Sequence, residues 1–437
     1  MRLIAKSFFG LFILFPFVIS YHSAFASAYQ IFEQDARSLG TYHAGSSAIA
    51  NDASTLWYNP AGMTNLTTQQ FSLGSELVNT SIIYNGTQTN VGQITPSTPQ
   101  PVDNLDGGTL TPIPNFYYVF PYKQWAFGLG IVAPFGAETN YGNGTALMYS
   151  GTKTQLQSID FIPAIAYKIN QYISFGIGAD ITYVRGEFDN AFAYINDTFQ
   201  PTNIYVTNRG DDWTIGTHIG ALINLNKNNR IGLVYHSKMT ANLTGYTKMS
   251  GDTSGVTIAG SPTSGYNFSS QIILPAWWDF SYYSKVTNKL ALMASIIYTQ
   301  WNSVQQTELK NVVTPFGNSY QNVLITQDFR NTWNFSFGTT FDLSPKWQIK
   351  AGIGYDMTPT NDTYRNIQIP DQNRFILATG IEYTPIDSLT IALSYAHFFV
   401  KDASINVTQE ITGTYQTTNG TVDSSADLFG LQLIWRL

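Results

Sequence analysis

The sequence has no cysteine among its 437 residues. Disulfide cross-links and cysteine-ligated metal sites are therefore excluded. Charged residues are scarce too, at 11 % of the chain compared with about 25 % in ordinary soluble domains. The net charge is −6, so the chain lacks the basic surface of nucleic-acid-binding proteins and we expect no nucleic-acid partner.

No apolar run after residue 26 is long enough for a transmembrane helix. Residues 1–26 instead have the features of a secretory signal peptide. Arg2 and Lys6 precede a short apolar core that Pro16 interrupts, and Ala24-Phe25-Ala26 provides the small-residue cleavage pattern. We therefore expect residues 1–26 to be removed. Because Arg2 and Lys6 are the only charged residues there, the remaining chain carries a net charge of −8.

Aromatic residues reach 15 %, and apolar residues alternate with polar ones in many short segments. Every second side chain is apolar along Ile173–Val184 and along Trp347–Asp356. The last segment, Phe429–Leu437, alternates as well, with Ile434 as its one exception. A period of two is typical of β-strands with one apolar face. A soluble β-sandwich would show the same alternation, so the period alone does not decide the fold.

The connections between these segments favour a barrel. Short polar turns alternate with long loops rich in Gly, Asn and Thr, and six turns with seven loops predict 14 antiparallel strands. Short turns at one rim and long loops at the other are typical of outer-membrane barrels. We therefore predict that residues 69–437 form one 14-stranded antiparallel transmembrane β-barrel. The turns are Pro121–Gln124, Lys168–Gln171, Asn226–Asn229, Lys285–Lys289, Ser344–Lys346 and Pro385–Ser388, and the loops lie near 85–111, 139–151, 189–210, 246–268, 307–322, 357–370 and 402–424.

The stretch Tyr29–Leu66 does not follow the strand pattern, because it is rich in Ala, Gly and Ser. A barrel of this size has a lumen too wide for its own side chains to fill. Residues 27–68 are the remaining segment large enough to block it, so we interpret them as a hatch, or plug, inside the lumen. An arm lying on the surface is the alternative. A plugged barrel argues against a simple diffusion porin and for a gated conduit.

An enzyme is not expected. His43, His218, His236 and His397 remain after the signal peptide, and they lie in unrelated segments without the motif of a nucleophile and its base. Each is interpreted as a structural or interfacial residue, and no cofactor or metal is predicted. A structural or adhesin-like surface barrel is the main alternative to a transporter.

Several motifs resemble those of the FadL family, the outer-membrane transporters of long-chain fatty acids and other hydrophobic compounds. In the hatch the resemblance rests on Gly45, Ala48–Ala53 and the triplet Asn59-Pro60-Ala61. It extends along nearly the whole mature length, and the triplet together with the last barrel motif is specific. The barrel motifs are Pro114-Asn115, Phe127–Gly130, Leu225–Arg230, Leu274-Pro275 with Trp278, Tyr298-Thr299 with Trp301, and Ile369–Gln372 with Arg374-Phe375.

The resemblance implies passive uptake, in which a ligand binds an outer groove, enters a pocket in the barrel and leaves sideways through a gap in the wall. The gap would lie at a kink in the third strand, Gln124–Glu138, where Pro134-Phe135-Gly136 is the matching position. Proline has no N–H for the strand ladder and glycine weakens a strand, so the chemistry favours a local break. A strand that simply ends early is the alternative.

Candidate functional residues follow from the same resemblance. Tyr29 and the Asn59-Pro60-Ala61 corner are the candidate gating residues, and we expect the corner to lie beside the third-strand kink. The loop Tyr141–Gly151 is the candidate outer groove, through Leu147-Met148-Tyr149, since methionine and aromatic side chains suit varied apolar shapes. The alternative is that this loop packs on its neighbours.

Long-chain fatty acids are the first expectation for the ligand, and aromatic or alkane hydrocarbons are the alternative. A fatty acid needs a partner for its carboxylate, and Arg185 and Lys350 are candidate lumen cations, although charges on a polar strand face are usually solvated. The other expected partners of this multi-pass protein are outer-membrane lipid and the outer-membrane assembly machinery of a Gram-negative bacterium, and we expect a monomer. The chain ends in Leu437 where such barrels commonly have an aromatic residue, and Trp435 is the nearest substitute.

Overall fold

The computed structural model describes residues 28–91, 98–254, 256, 263–316, 319–411 and 414–437. The expected signal peptide, residues 1–26, lies outside the described residues. In the described part of the chain, no helix is long and apolar enough to cross a bilayer. Most of this part after residue 69 is β-strand.

The described strands form one antiparallel sheet of 21 segments. The segments are β1 (Gln70–Val91), β2 (Gln100–Asp106), β3 (Leu110–Tyr122), β4 (Trp125–Val132), β5 (Gly136–Asn140), β6 (Lys153–Lys168), β7 (Ile173–Ile195), β8 (Pro201–Asn224), β9 (Asn229–His236), β10 (Met239–Gly251), β11 (Ser264–Leu274), β12 (Trp277–Lys285), β13 (Leu290–Thr299), β14 (Gln306–Val312), β15 (Gln321–Thr326), β16 (Thr332–Ser344), β17 (Trp347–Asp356), β18 (Arg374–Ile386), β19 (Leu389–Val400), β20 (Ala403–Ile411) and β21 (Thr414–Arg436).

These 21 segments make a closed barrel of 14 strands. The number of segments is larger because half of the strands are interrupted once and consist of two segments each. The second barrel strand, for example, consists of β2 and β3, and the third consists of β4 and β5. β1 pairs with β21 from Gln70↔Arg436 to Val91↔Tyr415, and this pairing closes the ring. This pairing removes the free edges of β1 and β21, which lipid could not satisfy with hydrogen bonds. The 14-stranded antiparallel barrel predicted from the sequence is confirmed.

Side chains alternate between the outer surface and the lumen. On β21, Phe429 and Trp435 are 53 % and 49 % exposed on the outer face. Ile434, the exception in the sequence pattern, faces the lumen and is fully buried. Aromatic pairs lie beside the short turns, as expected for an interfacial girdle. Two such pairs are Trp125–Tyr167 and Trp347–Tyr383, with ring centroids 4.5 Å and 4.3 Å apart.

The long connections differ from the sequence-based expectation. Segments predicted as loops near 189–210, 246–268 and 402–424 are largely hairpins that prolong the barrel strands. For example, β7 runs to Ile195 and β8 begins at Pro201. Above the bilayer a strand contacts water on its outer face, so it needs no apolar residue at every second position. The polar composition therefore concealed strands that the backbone pairing forms.

Residues 28–66 lie inside the ring of strands, and we call this segment the hatch. It contains α1 (Ala36–Leu39), α2 (Ser46–Ile49), α3 (Thr55–Tyr58) and a 3-10 turn at Pro60–Asn65. Helices this short are unstable alone, and here they are buried against the wall. Hydrogen bonds tie the hatch to strands around the ring, joining Gln34 to Ala133, Ala36 to Gln432, Gly45 to Ser295, Ser46 to Asp279, Asn59 to Ala221 and Thr64 to Ser174.

Candidate functional site

The barrel wall is incomplete between its second and third strands. β3 pairs with β4 only from Tyr122↔Trp125 to Phe116↔Ile131, and the described pairing of β5 is with β6. Residues Leu110–Asn115 of β3 are therefore paired with β1 but with no described residue of the third barrel strand. At the outer end, Asn140 N–H donates to Gly107 O over 3.0 Å and closes the opening. We call this lateral opening the wall window.

Prolines occur on both edges of the wall window. Pro134 lies in the break between β4 and β5, which is the break that the sequence predicts there. On the opposite edge, Pro112 and Pro114 stand two residues apart in β3, and both are exposed on the outer face. Because β3 keeps an uninterrupted register with β1, the sides of these prolines that lack an N–H face the window. Both edges therefore lack donors that a continuous ladder would need.

The wall window opens onto the lipid-facing surface. Leu110, Leu129 and Ile131 beside it are 54 %, 56 % and 39 % exposed on the outer face. Apolar outward-facing side chains form the band that contacts hydrocarbon in outer-membrane barrels. An apolar molecule passing through the window would thus enter lipid without crossing water.

The first residues of the hatch cover the inner side of the wall window. Ile31 N–H donates to Pro134 O, and Gly136 N–H donates to Tyr29 O, each over 2.8 Å. Gln30 and Phe135 form an isolated antiparallel bridge between these two bonds. The kinked part of the third strand thus pairs with the hatch and not with β3. We call these contacts the seal.

Tyr29 links the seal to the opposite wall. Its ring packs edge-on against Trp301, with centroids 4.7 Å apart at 89°, and tilted against Phe135 at 6.4 Å. Its hydroxyl donates to Ile273 O over 2.6 Å. Burial raises the pKa of Tyr29 above its usual range, so the hydroxyl remains a donor. Movement of this one side chain would break contacts with two sides of the barrel.

An apolar cavity, the main cavity, adjoins Tyr29. A second cavity, the outer cavity, shares Thr154, Phe188, Ile325 and Gln368 with it as lining residues and lies toward the outer strand ends. The two cavities are therefore neighbours between the outer loops and the seal. The main cavity is lined by Tyr29, Ala137, Thr154, Leu156, Phe188, Ile272, Ile273, Thr307, Ile325, Gln327, Asn366, Gln368 and Ile369.

An ion network joins the hatch to the wall. Arg37 donates to Glu382 over 2.6 Å and to Asp52 over 2.5 Å. Lys350 pairs with the same Glu382 and donates to Arg37 O over 2.9 Å. Lys350 is thus a lumen cation, but its partners are protein groups. Removing one member of a buried pair is costly, because it leaves the other charge uncompensated.

Titratable groups of the hatch have shifted pKa values. Burial raises the pKa of Glu33 to about 7. Burial, and to a smaller extent the neighbouring Asp52 carboxyl, raises the pKa of Asp35 to about 6. Burial lowers the pKa of His43 to about 3. Packing of the hatch therefore favours protonated Glu33 and Asp35 and neutral His43.

The structure brings Asp180, His218 and His236 together from three strands, and among the described residues their ligating atoms lie within 4.8 Å of one another. The two imidazole rings are stacked at 4.6 Å and 11°, so their lone pairs do not converge on one metal. Instead, Nε2 of His218 faces Leu56 O at 3.0 Å and Nε2 of His236 faces Trp57 O at 3.2 Å. These carbonyls belong to α3, whose short length leaves them unpaired. We call this arrangement the histidine latch, and sequence reasoning missed it.

The Asn59-Pro60-Ala61 corner lies elsewhere than expected. Asn59 Nδ2 donates to Ala221 O over 2.9 Å. A Cβ atom built on Gly220 would lie 2.0 Å from Asn59 Oδ1, and one built on Gly176 would lie 2.5 Å from Ala61 N. Only glycine permits this close approach of the corner to β7 and β8. The expectation that the corner lies beside the kink is wrong, and Tyr29 occupies that place.

The structure favours the alternative for the candidate outer groove. Leu147, Met148 and Tyr149 form a 3-10 turn and are 0 %, 5 % and 9 % exposed. Leu147 packs with the cluster that includes Tyr84. Apolar side chains this deeply buried leave little surface for a ligand. These residues therefore pack on their neighbours and do not form an open groove.

The expectation for Arg185 as a lumen cation is also wrong. It alternates on β7 with the buried Val184 and Gly186. It therefore shares the outer face of the barrel with Tyr183 and Ile181. The two-residue alternation of the strand could have placed it correctly, because Arg185 has the same parity as the apolar Ile181 and Tyr183.

Comparison with known proteins identifies the family. A family model described as outer membrane protein transport protein (OMPP1/FadL/TodX) matches residues 17–436. The long-chain fatty acid transport protein of Escherichia coli O6:H1 is 28 % identical over 406 residues, which cover 86 % of this chain and 87 % of that protein. Outer membrane protein P1 of Haemophilus influenzae is 26 % identical over 447 residues, which cover 93 % and 95 %.

Solved structures share the fold. A Pseudomonas aeruginosa FadL homologue superposes with a TM-score of 0.83 at 22 % identity, covering 93 % of this chain and 99 % of that one. The toluene transporter TodX of P. putida superposes with a TM-score of 0.67 at 15 % identity, covering 92 % and 98 %. This chain belongs to the OMPP1/FadL/TodX family of outer-membrane transport proteins.

Proposed function

We propose that this protein takes up long-chain fatty acids by passive diffusion and releases them sideways through the wall window. The family transports hydrophobic compounds across the outer membrane and is not enzymatic. The observation that carries the lateral route is the wall window itself, which faces lipid outside and is covered by the seal inside. The hatch is the gate in this proposal, as part of an N-terminal plug domain with the expected bounds 27–68. Tyr29 with the Pro134-Phe135-Gly136 break is its moving contact.

The free energy gained by burying part of the ligand is comparable to the free energy lost when the seal opens. The seal contains two backbone hydrogen bonds, each worth about 1 kcal/mol. An alkyl chain gains about 0.8 kcal/mol for each CH₂ that leaves water. Burial of a few methylenes in the main cavity, where Tyr29 forms part of the lining, is therefore enough to offset the loss of the seal. Crossing a wet lumen would give no such gain, whereas sliding into lipid retains it.

Two sets of relatives point to different ligands. The relative from Escherichia coli O6:H1 bears the name of a long-chain fatty acid transport protein, whereas TodX is a toluene transporter. A neutral hydrocarbon is the second candidate for this chain, and one observation favours it. No lysine or arginine is found among the described residues that line the main and outer cavities.

Transport by cells tests the proposal. A strain without its own uptake proteins for these compounds would express this protein and receive labelled hexadecanoate or labelled toluene. We expect saturable uptake of hexadecanoate, and long-chain acids in the mass spectrum of lipids that co-purify with the protein. Uptake of toluene alone would favour the second candidate. Uptake of neither compound would contradict both and leave a structural or adhesin-like barrel.

A further inference from the structure

Aromatic rings on the outside of the barrel mark the level of the outer-leaflet headgroups. β7 rises from a short turn, which places its first residue, Ile173, at the periplasmic side. Tyr183 lies ten residues further along, and ten residues span about 25 Å at a tilt of about 40°, the height of the apolar band. Trp213 lies opposite Tyr183 on β8. It is 56 % exposed, and the two ring centroids are 5.4 Å apart. Such rings sit at the membrane–water interface.

Three cations lie on the same outer face, just beyond these rings. Arg185 follows Tyr183 by two residues on β7, Arg209 lies on β8 and Lys153 on β6, and all three surround the carboxylate of one residue, Glu187. Lys153 Nζ lies 3.1 Å from Oε1 of this carboxylate. Arg185 Nη2 and Arg209 Nη1 lie 3.9 Å and 4.0 Å from Oε2, too far for hydrogen bonds. Nε of Arg185 is buried and has no hydrogen-bond partner among the described residues. The arginines therefore keep donors for an anion.

The other carboxylates nearby do not neutralise this group. Asp211 lies opposite Arg185 in the register and is exposed, and the described residues include no ion pair between the two. Asp189 lines the outer cavity instead. Asp212 accepts from Asn242 N–H over 2.7 Å. On the outer face, three cations therefore stand against two carboxylates, and the surface retains a positive charge.

An apolar groove lies on the same strands, inside the apolar band. Ala179 and Thr217 lie opposite each other there, four residues before Tyr183 along β7, which is about 10 Å below the rings. The small side chain of Ala179 leaves a depression that an acyl chain fills with van der Waals contacts. The groove is lined by Pro163, Ala164, Ile165, Ile177, Gly178, Ala179 and Thr217.

Lys238 adds a cation beside the groove. It lies in the two-residue link between β9 and β10 and is exposed. Because the flanking His236 and Met239 are buried toward the lumen, the link lies on the outer side, where Ser237 N–H donates to Thr217 O over 2.9 Å. A lysine at this depth is stable when its long side chain reaches the headgroups. The described residues include no acidic partner for it, so a lipid phosphate is the anion within reach.

We propose that the outer face of β6, β7 and β8 binds a phosphorylated glycolipid of the outer leaflet, the lipid A part of lipopolysaccharide. Arg185, Arg209 and Lys238 hold its phosphate groups, because arginine forks match phosphate oxygens and lysine adds a point charge. The exposed Trp213 ring lies against its sugar, and one acyl chain lies in the groove. A sugar headgroup covers this ring, whereas the small headgroup of a phospholipid does not. The site lies outside the lumen and is separate from the transport route.

Binding of two lipids to the full mature protein in detergent tests the proposal. The protein would be titrated with lipid A and, separately, with phosphatidylglycerol, and native mass spectrometry would measure the bound fraction. We expect Arg185→Gln combined with Arg209→Gln to weaken lipid A binding by about tenfold to thirtyfold and to change phosphatidylglycerol binding less than about twofold. Arg330→Gln is the matched control, because Arg330 is an exposed arginine in the link between β15 and β16, away from these strands.

Two single variants carry the test if the double variant does not fold. Lys238→Gln should weaken lipid A binding by about three- to fivefold. Ala179→Trp fills the groove without changing the charge, and it should also weaken lipid A binding. Gel migration before and after boiling reports whether each barrel is folded.

Absence of saturable lipid A binding to the unmodified protein, or unchanged binding in the folded variants, would overturn the site. Equal loss of both lipids, or an equal loss in Arg330→Gln, would overturn it as well. Hexadecanoate uptake is measured on the same variants. Because the wall window and the cavities are untouched in them, failure of the lipid site leaves the proposed uptake function standing.

Discussion

At the scale of single residues, the hatch is held by buried polar side chains whose partners lie on the barrel wall. Glu33 is 3 % exposed, and burial raises its pKa from an ordinary value of 4.5 to about 7. Between these two values the packed hatch binds more protons than the released hatch. The packed hatch therefore becomes less stable relative to the released hatch as the pH rises through this window. Asp35 acts in the same direction from 3.8 to about 6, and His43 opposes both from 6.5 down to about 3.

Glu33→Gln should remove most of this pH dependence, because glutamine stays neutral. Above pH 7, Glu33→Gln should stabilise the packed hatch relative to the unmodified protein by at most about 3 kcal/mol, which corresponds to the size of the pKa shift of Glu33. Hydrogen exchange of residues 28–66, corrected for intrinsic rates, is the measurement. We expect the unmodified hatch to be better protected at pH 5 than at pH 8, and the variant to be protected equally. A variant that keeps the original pH dependence would exclude Glu33 as its source.

The histidine latch supports a second prediction at this scale. His236→Phe keeps a ring that can stack on Trp277, which lies 4.0 Å from the His236 ring, but removes the donor to Trp57 O. An unpaired buried carbonyl costs about 1–3 kcal/mol, so hydrogen exchange in α3 should accelerate. His397→Phe is the matched control, since His397 pairs with Asp427 on the barrel exterior. Equal acceleration in both variants would mean that the latch has no specific role.

At the scale of elements, the wall window depends on two barrel strands. A regular third strand would not be enough to close the window, because Pro112 and Pro114 remove two N–H donors from the β3 edge that faces it. The window therefore depends on β3 as well as on the kink that the sequence predicts at Pro134-Phe135-Gly136. The strands on either side remain fully paired with β1 and with β6.

Replacing Pro134 and Gly136 by valine should straighten the third strand and reduce uptake of the hydrophobic ligand, since valine donates an N–H and favours strands. Adding Pro112→Thr and Pro114→Thr should abolish uptake, because both edges could then pair. Labelled-ligand uptake at matched surface abundance is the measurement, and Pro163→Val in β6 is the control. Normal uptake by a folded variant with all four substitutions would exclude the lateral route without affecting the conclusion about the fold.

At the scale of the whole molecule, the barrel and the hatch are separable in principle, because the strand ladder closes without any hatch residue. Deleting Tyr29–Asn65 should therefore leave a barrel that is rich in β-sheet by circular dichroism and migrates differently before and after boiling. The lumen would be open, so ion conductance in planar bilayers should rise. Unchanged conductance in a folded deletion variant would contradict the role of the hatch as a plug.

The sequence by itself determined the barrel, and the position of the third-strand break followed from the family resemblance supported by the chemistry of Pro134 and Gly136. Strand alternation is visible in consecutive residues, because adjacent side chains point to opposite faces. A proline lacks the N–H donor wherever it lies in the chain. Ile173–Val184 and Pro134 could therefore be interpreted without knowing their partners. Tyr29 was identified only through resemblance, and the structure gives it contacts with Trp301 and Ile273.

Only the tertiary structure decided which residues meet across the lumen. Arg37 and Glu382 are 345 positions apart, and His218 reaches Leu56 over 162 positions. No local pattern encodes such pairs, because closing the ring and inserting the hatch sets their distances. For the same reason the Asn59-Pro60-Ala61 corner, expected at the kink, packs instead where Gly176 and Gly220 leave room for it.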